Sequence, residues 1–329
     1  MSDKPIRWGI VGTGGIATSF ADDLALLPDA SLVAVGSRSQ TAADDFGTRF
    51  DVPHRHGSYG DLVNDADVDV VYVATPHVGH HGAAMSAIIA GKAVLVEKPF
   101  TLNAREAVSL IDAARSRGVF LMEAMWARFL PHMVRVRALI ASGALGDVRV
   151  VIADHNQWFA RDASHRLFDP AVGGGALLDL GIYPVSLASM VFGAPERVTA
   201  VSDPAFTGVD ATTSAILQYA GGAHSVLTTS LEVAGPNRAT IVGTQARIEI
   251  DAVFYAPTQF SLIGRDGTVL ERFDEPHEGR GMQHEAAEVM RCLRAGKLES
   301  DVLPLDETLA IMDTLDEIRR QIGLVYPGE

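Results

Sequence analysis

The chain has 329 residues, of which 47% are hydrophobic, so it can form two domains of ordinary size with substantial cores. A formal net charge of −14 disfavours binding to nucleic-acid phosphates, and a single cysteine, Cys292, excludes an intramolecular disulfide and a cysteine-based metal cluster. We identify neither a leader peptide nor an apolar run of about 18 residues that would span a bilayer. We therefore predict a cytoplasmic protein without nucleic-acid or membrane partners.

The first 122 residues alternate short apolar runs with amphipathic stretches. The predicted strands are Ile6–Val11, Leu32–Val35, Val68–Ala74, Ala93–Val96 and Val119–Met122. The predicted helices are Gly15–Leu27, Thr41–Phe50, His80–Ala90 and Ala104–Arg117. Strands with little polar alternation are buried on both faces, which is typical of a parallel sheet with crossover helices. We predict an α/β Rossmann domain, a doubly wound parallel sheet, over residues 1–123.

Strands follow one another more directly in the rest of the chain. They are predicted at Val148–Ala153, Arg197–Val201, Thr212–Tyr219, His224–Leu231, Thr240–Val242, Ala246–Ile250, Gln259–Ile263 and Thr268–Phe273. Helices are predicted at Gly175–Val191, Met282–Ala295 and Leu305–Ile322. This pattern predicts an α+β domain over residues 124–329, built on a large, mostly antiparallel open sheet. A sheet with an uncovered apolar face needs a partner, so we expect a homodimer, or a larger assembly, formed through strands 197–273.

A glycine fingerprint lies between the first predicted strand and helix. Its residues are Gly12, Thr13, Gly14, Gly15, Ile16 and Ala17. The G-x-G-x-x-A spacing is informative here because a strand precedes it and a helix follows it. Gly12 would permit the tight turn, and Gly14 would let a diphosphate approach the helix N-terminus. The alternative is a structural turn without a ligand.

The second predicted strand ends in Ser37-Arg38-Ser39 and has no acidic residue there. A carboxylate at this position would accept a hydrogen bond from the ribose 2′-hydroxyl of NAD. Arg38 can instead pair with a 2′-phosphate, to which Ser37 and Ser39 can donate. The sequence therefore favours NADP over NAD, unless Arg38 is only a solvated surface residue.

Glu97-Lys98-Pro99 follows a predicted central strand, at the edge of the sheet where ligands bind in open α/β folds. Pro99 fixes the local backbone and can adopt a cis peptide. We interpret Lys98 as a cation held near a reacting hydroxyl. The alternative is a surface Glu–Lys pair.

A second polar group, Asp179 and Tyr183, lies within an otherwise apolar predicted helix. An i, i+4 spacing puts the two side chains on one helix face. Tyr183 can act as a general acid–base if a cation such as Lys98 lowers its pKa from about 10. The alternative is a buried tyrosine bonded to a helix aspartate.

These motifs, Gly12-x-Gly14-x-x-Ala17, Glu97-Lys98-Pro99 and Asp179-x-Gly181-x-Tyr183, resemble the Gfo/Idh/MocA oxidoreductase family in order and spacing. Tyr183, in place of the histidine of many members, and the segment 122–131 resemble the subgroup of trans-dihydrodiol and NADP-dependent D-xylose dehydrogenases. The resemblance implies Lys98 and Tyr183 as the catalytic pair and Asp179 as a residue that orients substrate. It also implies a dimer through the open sheet and no metal requirement.

The resemblance places the loop after the third predicted strand near the nicotinamide ribose. Expected cofactor contacts there are Thr75, Pro76, His77 and His80, together with Glu97 and Lys98. His77, His80 and His81 form an H-x-x-H-H cluster, but a zinc site requires further convergent ligands, so we predict no metal.

Substrate contacts are predicted around an apolar wall. The residues are Trp126, Arg128, Phe159, Arg166, Asp179 and Tyr183, with Trp158 and His165 as weaker choices. For Trp126, Trp158 and Phe159 the alternative is a role in packing between the domains. The predicted function is NADP-dependent transfer of a hydride between a hydroxyl-bearing carbon of a sugar or cyclic trans-diol and the nicotinamide. Two alternatives are a non-catalytic NADP-binding sensor and a sugar–sugar oxidoreductase with tightly bound NADP.

Overall fold

The computed structural model describes residues 4–329, which form two compact units. The first contains the chain up to Trp126 together with Glu278–Leu309, and the second contains Ala127–His277 together with Ala310–Glu329. The sequence analysis assigned 278–309 to the second domain, whereas in the structure this segment packs with the first unit. The predicted boundary near residue 124 stays a prediction.

The first unit contains a six-stranded parallel sheet in the order β3-β2-β1-β4-β5-β6, which confirms the predicted doubly wound fold. Its strands are β1 Ile6–Val11, β2 Ala30–Gly36, β3 His54–His56, β4 Val70–Val73, β5 Ala93–Glu97 and β6 Leu121–Ala124. The helices of this unit are α1 Gly15–Leu24, α2 Gln40–Arg49, α3 Tyr59–Val63, α4 His80–Ile89, α5 Ala104–Arg117 and α8 Gln283–Arg294. The apolar runs of β1, β4 and β5 are almost completely buried, as expected for strands covered on both faces.

Long-range bonds hold α8 in the first unit. The buried carboxylate of Asp23, in α1, accepts the backbone N–H groups of Arg280 (2.8 Å) and Met282 (2.7 Å). Because the first N–H groups of a helix have no partner within the helix, Asp23 caps α8 from more than 250 residues away. Arg294, in the last turn of α8, pairs with Asp29 at 2.6 Å.

The second unit contains an eight-stranded sheet in the order β14-β13-β12-β11-β7-β10-β9-β8. Its strands are β7 Val148–Asn156, β8 Arg197–Pro204, β9 Asp210–Gln218, β10 His224–Ser230, β11 Ala239–Gly243, β12 Ala246–Ile250, β13 Phe260–Gly264 and β14 Val269–Phe273. The sheet is mostly antiparallel, as predicted, except that β7 and β10 pair in parallel. Burial alternates along β7, β9 and β10, so one face of these strands packs inward and the other is exposed.

The helices of the second unit include α6 Pro131–Ala141 and α7 Ile182–Phe192, while α9 Leu305–Ile322 begins in the first unit and continues in the second. A π-helical turn, Leu177–Gly181, precedes α7. The helical segment Pro170–Phe192 is long and apolar enough to cross a membrane, but 83% of its apolar window is buried inside the protein. It is therefore a core helix by its packing.

Candidate active site

The glycine fingerprint forms the turn between β1 and α1. Gly12 has φ +109°, and a Cβ at this position would lie 2.5 Å from the Ala74 carbonyl oxygen, so only glycine fits. Gly14 is extended, and a Cβ there would meet no atom of the described residues within 4 Å. Thr13, Gly15 and Ile16 complete the turn and the start of α1.

The N-terminus of α1 suits an anion. No side chain caps it, and no acidic residue lies in its first turn. Its first N–H groups and the helix dipole therefore favour a negatively charged group. Thr75, at the carboxyl end of the neighbouring β4, has a buried hydroxyl without a hydrogen-bond partner among residues 4–329. The open space at Gly14, the first N–H groups of α1 and the buried Thr75 hydroxyl together suit the binding of a dinucleotide diphosphate.

Ser37, Arg38 and Ser39 follow β2, as predicted. Arg38 is exposed, whereas Ser37 is buried and its hydroxyl accepts the backbone N–H of Ser39. Ser39 is the N-cap of α2, where its hydroxyl accepts the N–H of Ala42 at 3.4 Å. The two serines thus give the segment a defined turn, from which the Arg38 side chain projects.

His80 fixes the loop that follows β4. It is 1% exposed, and its ring nitrogens lie 2.8 Å from the Pro99 carbonyl oxygen and 2.9 Å from that of Thr75. Burial lowers the pKa of His80 to about 3, so the ring is neutral at pH 7 and donates to one carbonyl at a time. His80 therefore ties the Thr75–Pro76–His77 loop to the segment that carries Lys98. His77 is also buried and lies edge-on to His80.

Lys98 is a half-buried residue directly after β5. Its backbone N–H donates to Glu97 at 3.1 Å, and the buried Glu97 carboxylate also accepts a short hydrogen bond from the Tyr72 hydroxyl. The Lys98–Pro99 peptide is cis. Glu97 is thus a local support for the backbone of Lys98, which distinguishes this pair from a solvated surface pair.

Sequence reasoning did not connect two further buried acids with this region. Glu123 accepts the N–H of Phe100 (3.2 Å) and the hydroxyl of Thr308 (3.3 Å). Glu285, on α8, is completely buried, and neither of its carboxylate oxygens has a hydrogen-bond partner among the described residues. Burial, together with the charges of Glu97, Asp23 and Glu123, raises the pKa of Glu285 well above its usual value.

In the second unit, Asp179 is buried in the π turn before α7 and binds Arg166. The guanidinium of Arg166 donates to Asp179 at 2.9 Å and 3.3 Å, as a two-point ion pair with an exposed arginine and a buried carboxylate. Because a π turn closes i→i+5 bonds, the Asp179–Tyr183 interval is not the regular α-helical turn that the sequence analysis assumed. The sequence analysis named Arg166 and Asp179 separately as substrate contacts and did not predict this ion pair.

Tyr183 lies in a cluster of rings that the motifs did not reveal. Its ring centroid is 5.2 Å from that of His155 and 4.7 Å from that of Tyr255, and His155 stacks on Tyr255 at 3.9 Å. The Gln157 amide lies 2.9 Å from Nε2 of His155 and donates to the Tyr255 hydroxyl at 2.8 Å. Nδ1 of His155 lies 3.1 Å from the Leu180 carbonyl in the π turn, which fixes the tautomer as Nδ1–H. His155 and Tyr255 carry no local sequence signal because they are about 100 residues apart.

The remaining predicted substrate residues differ in their surroundings. Arg128 is buried and donates to the hydroxyl (2.9 Å) and carbonyl (2.7 Å) of Ser186, so it supports α7. Phe159 packs on a buried cluster that includes Phe168, and Trp158 is 65% exposed. Trp126 is buried in the first unit, where the Arg280 guanidinium lies 5.9 Å from its ring.

A surface groove of the first unit, about 1110 Å³, is lined by residues at the starts of strands, including Ile6, Ser31 and Asp69. None of the predicted cofactor residues lines it. Ligands of open α/β sheets bind at the carboxyl ends of strands, where the glycine turn, Thr75 and Lys98 lie. The carboxyl edge, and not this groove, is therefore the candidate cofactor site.

Comparison with known families identifies the chain. Residues 6–125 match the model of the oxidoreductase family with an NAD-binding Rossmann fold, and residues 133–249 match the Gfo/Idh/MocA C-terminal domain. The protein belongs to the Gfo/Idh/MocA oxidoreductase family. The predicted family resemblance is thereby confirmed.

Curated relatives named trans-1,2-dihydrobenzene-1,2-diol dehydrogenase include proteins from Mus musculus, 42% identical, and Bos taurus, 40% identical. Each alignment covers 98% of this chain and 99% of the relative. Solved structures with the same fold include an aldose–aldose oxidoreductase from Caulobacter crescentus complexed with glycerol, at 27% identity, a TM-score of 0.88 and 97% coverage of both chains. Another is a 3-ketoreductase from Actinomadura kijaniata in complex with NADP and TDP-benzene, at 28% identity, a TM-score of 0.85, and coverage of 97% of this chain and 98% of that one.

Proposed function

We propose that this protein is an NADP-dependent dehydrogenase that oxidises a hydroxyl-bearing carbon of a cyclic trans-diol or an aldose such as xylose or glucose. The relatives at about 40% identity over nearly the whole chain are dehydrogenases of a trans-diol, and this observation supports the trans-diol as the first choice. The similar ketoreductase and aldose–aldose oxidoreductase support a sugar as the second.

The glycine turn, the N-terminus of α1, Thr75 and the Ser37–Ser39 segment would hold the dinucleotide. Arg38 carries the preference for NADP, because its exposed guanidinium can pair with a 2′-phosphate and the segment Ser37–Ser39 directly after β2 has no acidic residue to bind a ribose hydroxyl. When bound, NADP supplies the nicotinamide carbon that accepts a hydride.

Tyr183 acts as the general base that takes the hydroxyl proton while the neighbouring C–H bond breaks. Lys98 stabilises the negative charge that develops on the substrate oxygen and on the Tyr183 phenolate. Asp179 orients the substrate through a second hydroxyl, and Arg166 holds the Asp179 carboxylate in position. The reaction leaves a carbonyl on the substrate, and the proton passes from Tyr183 to solvent.

The test is a screen of cyclic trans-diols, aldopentoses and aldohexoses with NADP and with NAD, followed by absorbance of the reduced cofactor. We expect turnover of a single added substrate with NADP preferred, and we expect Arg38→Ala to remove most of that preference. Equal use of NAD and NADP by the wild-type protein would contradict the cofactor assignment. A non-catalytic sensor would reduce no cofactor in this screen. A sugar–sugar oxidoreductase would require two sugars for turnover. The similarity to the aldose–aldose oxidoreductase, at a TM-score of 0.88, supports this second alternative.

We also propose a homodimer formed through the exposed face of the eight-stranded sheet. Val226 lies directly across from Ile152 on β7 and Ile216 on β9, and all three side chains are exposed, so they form an apolar row. Ile216→Asp should convert the dimer to a monomer in light scattering at micromolar concentration, whereas Val78→Asp, an exposed residue of the first unit, should not. A monomeric wild-type protein would contradict the proposal.

We also propose a cytoplasmic location, because a chain with a single cysteine cannot form an intramolecular disulfide and therefore fits a reducing compartment. The single cysteine, Cys292, is buried, and burial together with Glu288 raises the pKa of its thiol to about 12. Such a thiol is unreactive and is not part of the proposed chemistry.

A further inference from the structure

A cluster of two imidazoles and one carboxylate lies on the edge strand of the six-stranded sheet and plays no part in the proposed reaction. Its members are His54 and His56 of β3 and Asp65 from the segment after α3. We propose that this His54–His56–Asp65 cluster is a binding site for Zn²⁺ or a similar borderline divalent ion. The proposal does not depend on the proposed dehydrogenase activity.

The edge strand brings the two imidazoles together. Side chains two residues apart on a strand project from the same face, so His54 and His56 act as a pair. Because β3 is the outermost strand, its outer edge has no neighbouring strand in the sheet. The pair needs only a third donor from another element to form a three-ligand set.

Asp65 supplies that donor, and both rings already converge on one of its atoms. Nδ1 of His54 lies 2.6 Å, and Nε2 of His56 2.9 Å, from the same oxygen, Oδ2. All three atoms lie within 4.8 Å of one another. Ligand atoms about 2.0–2.2 Å from a tetrahedral zinc ion are roughly 3.3 Å apart, so small side-chain shifts would admit the ion.

Hydrogen bonds fix the position of the Asp65 carboxylate. Its second oxygen, Oδ1, accepts the Asp67 backbone N–H at 2.9 Å. The ammonium of Lys92 holds the backbone through the Asp65 carbonyl at 2.7 Å. A carboxylate that hydrogen bonds hold in one position is preorganised as a metal ligand.

The carboxylate of Asp67 lies near the second ring nitrogen of His54. Nε2 of His54, the nitrogen that does not face Asp65, is 3.9 Å from Oδ2 of Asp67. Asp67 is itself held by Arg7 at 2.8 Å. Metal-binding histidines commonly direct their second ring nitrogen to a carboxylate, which orients the ring and raises its basicity. Asp67 is therefore a positioning residue for the proposed site.

The donor set selects the class of ion. Two imidazole nitrogens and one carboxylate oxygen suit zinc and its neighbours, whereas magnesium and calcium prefer oxygen ligands alone. The His54 side chain is 37% exposed and that of His56 is 22% exposed, so water can reach the cluster and complete the coordination.

Metal titration of the untagged, chelator-treated full-length protein tests the site. Isothermal titration with Zn²⁺ and visible absorption of Co²⁺ should each show saturable binding of one ion per chain. His56→Ala and Asp65→Asn should each abolish that binding, and Asp67→Asn should weaken it by about tenfold. His224→Ala, on β10 of the other unit, is the matched control and should leave binding unchanged.

Absence of saturable binding by the wild-type chain would overturn the proposal, as would binding that survives both His56→Ala and Asp65→Asn. Thermal melts establish that the variants are folded. Zn²⁺ should raise the melting temperature of the wild type and of His224→Ala, but not that of His56→Ala or Asp65→Asn. Side-chain ¹⁵N NMR of the wild type provides a test without substitutions. The ring signals of His54 and His56 should shift with Zn²⁺ while that of His224 does not, and the opposite pattern would contradict the assignment.

Discussion

The proposed cofactor segment and the proposed substrate segment are held by different kinds of interactions. The first is defined mainly by backbone geometry: Gly12 has a conformation reserved for glycine, and His80 binds the carbonyls of Thr75 and Pro99. The second is defined mainly by side chains, with Arg166 paired to Asp179 and with Gln157 bound to His155 and Tyr255 beside Tyr183.

This difference indicates how such a protein can change its substrate while keeping its cofactor. A backbone site tolerates replacement of surrounding side chains but not a change of conformation. A side-chain site can be remodelled one substitution at a time. We therefore expect damage in the first segment to appear as weaker NADP binding, and damage in the second as a loss of turnover or substrate affinity.

Tyr183→Phe should give the largest effect. The substitution keeps the ring among His155 and Tyr255 but removes the proposed proton acceptor, and general acid–base groups contribute about 10²–10⁴-fold in rate. Steady-state assays should show a loss of kcat in that range, while fluorescence titration shows unchanged NADP affinity. Lys98→Met should be at least as damaging, because it removes the cation that we propose stabilises the developing charge.

Near-normal turnover of Tyr183→Phe would contradict the proposal that turnover depends on the side chains of the substrate segment. Lys98 would then be the proton carrier, and Tyr183 would have the structural role of a buried tyrosine. Asp179→Asn provides a graded control, since it should raise KM more than it lowers kcat.

Gly12→Ala should have the next largest effect, and this effect should be on NADP binding. A Cβ would lie 2.5 Å from the Ala74 carbonyl oxygen at a φ of +109°, and such strained conformations cost about 1–3 kcal/mol. We expect a lower melting temperature and weaker NADP binding. The matched control is Gly15→Ala, where a Cβ meets no atom of the described residues within 4 Å. Equal effects of the two substitutions on stability would contradict the proposal that the backbone conformation of Gly12 defines the cofactor segment.

Asp210→Asn should give the smallest effect, visible as a change in pH dependence. Asp210 is buried and binds the backbone N–H of Leu177 and the hydroxyl of Thr213, both at 2.8 Å, so it anchors the π turn that carries Asp179. Burial raises the pKa of Asp210 from 3.8 to about 7. The folded state therefore holds a proton that the unfolded state loses, and its contribution to stability is lost as the pH rises from about 4 through 7.

Asparagine does not titrate, so the variant should gain stability relative to the wild type as the pH rises from about 4 to about 7. Thermal melts of both proteins across this range measure the difference. A constant difference in melting temperature would indicate that Asp210 is ionised in the folded state.

The sequence predicted the regular parts of the fold because local periodicity reflects burial. The apolar strands β1 and β5 and the helix α5 have the expected positions. The short strand β3 was not predicted, because its residues His-Arg-His are polar and its pairing with β2 depends on tertiary structure. The parallel pairing of β7 with β10 likewise has no local signature.

The motifs predicted which residues carry the proposed chemistry, but not what supports them. Gly12, Lys98 and Tyr183 lie in segments whose local spacing is recognisable. His155 and Tyr255 contact each other across about 100 residues of chain, and the burial of Glu285 depends on tertiary packing, so one sequence gives no sign of them. The assignment of 278–309 to the first unit similarly depends on Asp23, which no nearby pattern connects to α8.

The division of the chain has a consequence for biosynthesis. The polypeptide leaves the first unit after Trp126, returns to it at Glu278, and leaves it again within α9. Neither unit is therefore complete until almost the whole chain has emerged from the ribosome, and no single cut yields two self-sufficient fragments. In the nascent protein, Asp23 can bind the N-terminus of α8 only after more than 250 further residues have been translated.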